Sequence, residues 1–215
     1  MKFVLVLLVF ITIGPTVVGR AQPLAPGGGP TLGWFPLDSI ELNEQLDRAD
    51  LPQLQPGMLL LGASYFGERR ERLAVGGLAA FGQSGTSRLD KSVKLSLLSA
   101  GLALEYGELV TERWGIFVGG SVAPTQLALE VTLQPAADFR SGLEKPSGTS
   151  LTREFFCLEL YAGGEWAFGA QRFRLSLGYL WAGAVTNWRA DGRDLPGPGE
   201  SFSGPLIQAL LVIGI

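Results

Sequence analysis

The sequence predicts an all-β fold, an antiparallel up-and-down β-barrel of about eight strands with a short N-terminal helix. Three observations carry this. From Met58 onward, apolar residues alternate with small or polar ones at period two through seven segments. The connections between those segments alternate between short and long. Only 17% of the 215 residues are charged and 47% are hydrophobic, against ~25% charged in an ordinary soluble domain.

The elements follow in order. Lys2 opens the chain with a positive charge, Phe3 to Ile13 is an unbroken apolar run, and Gly14-Pro15 breaks it. Gly19-Arg20-Ala21 puts small residues at the two positions a leader peptidase reads. Residues 1–21 therefore read as a secretory signal peptide, cut after Ala21. The run is too short to cross a bilayer as a helix, which takes ~20 residues. Cleavage removes Lys2 and Arg20 and takes the net charge from −3 to −5. That acidity excludes nucleic acid as a partner, since binding it needs a basic footprint.

Residues 22–36, rich in Pro and Gly, read as a linker. Residues 38–49 read as a short helix, with Asp38 and Glu41 as a capping box and Ile40, Leu42, Leu46 and Ala49 as apolar positions. Strands are expected near 58–66, 72–83, 92–106, 113–132, 153–168, 173–187 and 203–215. "GERRE", "GELVT" and "GAQR" are short turns. "QSGTSRLDK", "QPAADFRSGLEKPSGTSLT" and "NWRADGRDLPGPGESF" are longer loops. All short turns then fall at one end and all long loops at the other. Barrels of this kind use an even number of strands. Residues 22–57 must therefore supply either an eighth strand around Thr31–Phe35, the preferred reading, or a helical plug in the lumen, with the barrel proper at 58–215.

The faces can be sorted by register. The short turns suggest Phe168 opposite Phe173, Leu104 opposite Trp114 and Tyr65 opposite Leu73, which match apolar faces across each hairpin. The apolar face then carries Tyr65, Tyr106, Trp114, Trp166, Phe168 and Phe173 toward the short turns, and Phe81, Phe156, Tyr179 and Trp181 toward the loops. From Phe156 to Trp166, at ~3.3 Å per residue and a ~40° tilt, is about 25 Å, the height of a lipid-facing band between two aromatic girdles. The opposite face is small: Gly76, Ala80, Ser99, Gly101, Ala103, Gly115, Gly119, Ser121, Gly163, Gly178 and Ala182. Such residues solubilise nothing but fit the inside of a narrow eight-stranded barrel. Charges on this face suggest lumen ion pairs: Glu105 with Arg113, Glu165 with Arg174, and Glu159 as a further acid. A buried charge needs a partner.

On these features the chain resembles the small outer-membrane barrels of the OmpA, OmpX and OmpW kind. The likeness is architectural, covers roughly residues 58–215 and rests on no family motif. It implies a lipid bilayer and the outer-membrane assembly machinery as partners. Such barrels end in Phe, Tyr or Trp, whereas Ile215 stands in that place here.

The sequence argues against chemistry. There is no His and one Cys, Cys157. That excludes Ser-His-Asp and Cys-His mechanisms and His-based zinc sites. Outer-membrane enzymes of similar architecture use a catalytic His. Glu159 and Glu165, six residues apart on one strand, are separated by ~20 Å, too far for a glycosidase pair. Asp191, Asp194 and Glu200, like Asp138 and Glu144, lack calcium-loop spacing, and "PGGGP" lacks the Lys of a phosphate loop. The expectation is an outer-membrane barrel that is not an enzyme and holds no metal or cofactor, with a structural, adhesive or small-solute role. The alternative is a soluble periplasmic barrel binding an apolar ligand in a Leu/Trp-lined interior.

Overall fold

The computed structural model describes residues 24–36, 39–68, 70–133, 148–169, 171–199 and 202–213. The predicted leader, Asp38, Asp138, Glu144 and Glu200 lie outside the described residues. The strands are β1 (Gly27–Phe35), β2 (Met58–Phe66), β3 (Leu73–Arg88), β4 (Lys91–Leu109), β5 (Trp114–Leu133), β6 (Gly148–Phe168), β7 (Gln171–Ala184), β8 (Trp188–Ala190), β9 (Arg193–Leu195) and β10 (Gly204–Ile213). One helix, α1 (Ile40–Arg48), joins β1 to β2.

Eight of these strands close a barrel. Each of β1 to β6 pairs antiparallel with the next, β7 pairs with β10, and β10 returns to β1. The barrel therefore begins at Gly27 rather than Met58, and the strand expected around Thr31–Phe35 is its first. Strands β8 and β9 form a small hairpin that touches β6 at Thr152. Closure leaves no free edge in the barrel wall, which is how such a fold avoids edge-to-edge association.

The connections correct the sequence reading in two ways. The stretch expected as the loop "QSGTSRLDK" is mostly strand. Pairing runs out to Arg88 and Lys91, and a two-residue turn at Leu89-Asp90 closes it, with Leu89 at φ 55°. The registers also shift. Phe168 faces Gln171, Tyr65 faces Gly77 and Leu104 faces Gly120, displaced by two, four and six residues from the expected partners. The β4–β5 turn accounts for the largest shift. Thr111 Oγ1 accepts the amides of Arg113 (3.3 Å) and Trp114 (3.0 Å), so a four-residue turn forms from Val110 to Arg113. Every displacement is even, so no side chain changes face.

Inside, the barrel is layered. Toward the loops lies an apolar core including Phe35, Met58, Leu60, Leu95, Leu127 and Phe155. Helix α1 closes that mouth by burying Leu42 and Leu46 against it, while Ile40 points outward and is exposed. The N-cap is Ser39, without a side-chain capping bond. The helix is held instead by Asn43, whose Oδ1 accepts the Leu54 amide at 2.8 Å. Thus residues 22–57 supply both the eighth strand and a stopper. At the turn end Leu24 is 1% exposed, packed on Phe117 and Tyr161.

Candidate functional site: an apolar belt around a charged lumen

The outer surface divides into two zones. On β3 to β6 the outward residues near the turns are apolar: Leu73 and Val75, Leu102 and Leu104, Val118 and Val122, Leu158 and Leu160 are all exposed or nearly so. Past one level they become polar. The change falls between Phe81 and Gln83 on β3, Leu98 and Ser96 on β4, Pro124 and Gln126 on β5, and Phe156 and Glu154 on β6. Register sets Gln83 beside Ser96 and Gln126 beside Glu154, with Leu98 beside Gln126 between them, so the border crosses four strands with a step of two residues from β4 to β5. Above it the outward positions are Gly85, Ser87, Lys94, Ser92, Glu130, Thr132, Ser150 and Thr152, with Ala128 the one small apolar residue among them. These four strands are 16 to 21 residues long, against 9 or 10 for β1, β2 and β10, and form a polar lip beyond the belt.

All ten aromatics expected at the girdles are on the outer face. Tyr65, Tyr106, Trp166, Phe168 and Phe173 are exposed near the turns with Trp114 beside them; Phe81, Phe156 and Trp181 are exposed near the border, with Tyr179 half-buried. Trp166 faces Trp114 on one side and Phe173 on the other, with the Trp166 and Phe173 rings 6.3 Å apart. Tyr179 and Trp181 rings lie 4.7 Å apart. Trp34 on β1 is also exposed and belongs to this set. It was missed because "GGGPTLGWF" reads as a linker. Its four glycines and Pro30 obscure an alternation that only the pairing with β2 and β10 reveals.

The lumen at mid-height is charged. Arg174 reaches Glu105 through Nη2 and approaches Glu165 Oε2 from Nε at 3.5 Å. Its guanidinium carbon lies 3.9 Å from the Phe117 ring centre and 5.0 Å from that of Phe66. Arg172 donates to Glu165 Oε1 at 3.3 Å. It also donates to the carbonyls of Ala25 (2.8 Å) and Pro26 (2.7 Å), pinning the segment that carries Leu24. Ser121 donates to Glu159 Oε2 at 3.1 Å, and Tyr161 to Glu105 Oε2 at 3.5 Å. The small residues make these contacts possible. A Cβ on Gly119 would lie 2.6 Å from the Tyr161 ring.

Arg113 is a correction. It is exposed in the β4–β5 turn, and Glu105 faces Gly119 across the sheet. Arg174 takes the place expected of Arg113. Glu165 is directly opposite Arg174 rather than one diagonal step away. The loop acids Asp191 and Asp194 sit at the β8–β9 turn, where Asp194 accepts from Arg189 Nε at 3.0 Å. Among the described residues no group of three or more His, Cys, Asp or Glu could hold a metal. No family model matches the chain and no curated protein matches it, so its geometry alone carries the reading.

Proposed function

We propose that this chain is a non-conducting outer-membrane barrel, an anchor that holds a polar lip outside the bilayer for a structural or adhesive role. The border between apolar and polar outward residues carries this reading. A soluble barrel needs polar residues over its whole outer wall, whereas Leu102, Leu158, Leu177 and Trp166 expose themselves here in one band. Eight to ten residues of strand from girdle to border, as from Trp114 to Pro124, correspond to about 20–25 Å of height. The small-solute role is disfavoured by the two stoppers, Leu24 at one mouth and α1 over the apolar core at the other. The alternative of a soluble barrel with an apolar ligand calls for the Leu/Trp face inside, and the exposure of Leu102, Leu158, Leu177 and Trp166 favours the membrane reading over it.

Membrane fractionation tests the reading. The protein should resist carbonate and salt and be released only by detergent, and should run faster on gels unheated than boiled. Recovery of a monodisperse, folded chain in buffer without detergent would contradict it.

A further inference from the structure

Charge counting at mid-height in the lumen leaves one carboxylate over; Arg153, the third buried arginine of the interior, lies toward the loops, where it donates to the carbonyls of Thr186 and Pro198. Glu105 and Glu165 balance Arg172 and Arg174 through the contacts above. Glu159 is 4% exposed, and among the described residues its carboxylate accepts one hydrogen bond, from Ser121 to Oε2. Its other oxygen, Oε1, accepts no hydrogen bond among the described residues. Oε1 lies over Gly178, where a Cβ would come within 3.1 Å of it, so the missing side chain gives the carboxylate its place. Glu159 lines a cavity of about 60 Å³ together with Glu105, whose charge Arg174 already meets, and the neutral oxygen-bearing side chains of Thr31, Ser64, Tyr161, Ser176 and Gln208. That volume exceeds the ~10–15 Å³ that a single small guest needs by this measure.

We propose that this cavity is a binding site for a small monovalent cation, sodium in the first instance, held by Glu159 Oε1 and neutral oxygens around it. An isolated buried carboxylate is very costly, and one positive charge removes the imbalance. Hard cations take oxygen ligands, which this wall supplies. One unpaired carboxylate suits a single charge, in keeping with the absence of a multi-acid group among the described residues. The guanidinium of Arg174 also borders the cavity, but two carboxylates already neutralise it. The site goes beyond the membrane role and does not depend on it, since it lies wholly inside the wall.

The test is thermal unfolding of the whole purified protein in sodium chloride against choline chloride at matched ionic strength, for wild type and Glu159→Gln. The site predicts a wild-type Tm that climbs about 3–5 °C per tenfold sodium once the site begins to fill. Glu159→Gln should fold and lose that dependence. Should the variant fail to fold, rubidium-soaked wild-type crystals read the site directly, by an anomalous peak beside Oε1. Equal melting in both salts, a sodium dependence that survives in Glu159→Gln, or no rubidium peak would each overturn the proposal. A carboxyl neutralised by a proton instead gives the first of these results.

Discussion

The guanidinium of Arg174 meets two carboxylates and two aromatic rings inside the wall. Removing it takes the Arg174 ion pair from Glu105 and one of two from Glu165 in a low-dielectric space, and breaking a buried pair typically costs about 3–5 kcal/mol. Arg174→Ala should therefore lower unfolding stability by that order in urea titrations. Arg113→Ala, in an exposed turn, should stay within ~0.5 kcal/mol of wild type. Equal effects of the two would contradict the lumen network. At this scale the sequence was partly legible. Alternation placed Glu105, Glu159, Glu165 and Arg174 on the small face, and that is where they sit. Their partners were not legible, because Glu105 and Arg174 are 69 residues apart and meet across the lumen. Local spacing offered Arg113 instead, and Thr111 moved Arg113 into a turn by accepting two backbone amides.

Among the elements, α1 is legible in the sequence as a short helix, and its job falls between the two readings offered, since the eighth strand forms and the helix stops the mouth as well. Leu42 and Leu46, four apart, form the stripe that seals the loop-end mouth, while Ile40 falls off it. The segment after the helix is tied to the lip by Lys91 Nζ, 2.6 Å from Asp50 Oδ2 and 2.8 Å from the Asp50 carbonyl. The hydrogen bond from Lys91 and then its charge hold the Asp50 carboxyl below its ordinary value of 3.8. A depressed carboxyl contributes stability that is complete above its unfolded value and fades as pH falls through the folded one. Asp50→Asn should thus lower Tm slightly above pH 4, and the gap to wild type should close as pH drops below 3.8. A gap that persists at low pH would argue that the tether does not rest on charge. Strand β2 was legible to the residue, whereas β3 was cut short because "QSGTSR" carries turn-forming residues that the ladder with β4 overrides.

The whole molecule is a closed wall with two stoppers, an apolar outside and a layered inside. Planar-bilayer recordings should show no steady conductance, and open channels would mean that Leu24 or α1 does not seal its mouth. The architecture was legible because period-two alternation survives any even error in register. The polar border is not legible in the sequence, since it appears only when four strands are set side by side in register. The central claim is that lipid touches the apolar belt. Trp166 is exposed on that belt and Trp188 is buried at the loop end among Phe155 and Phe202. The most direct test uses two single-tryptophan variants, one keeping Trp166 and one keeping Trp188, reconstituted in vesicles whose acyl chains are brominated. The account predicts strong quenching of Trp166 fluorescence and little of Trp188; Trp166 fluorescence unchanged by bromine would contradict it.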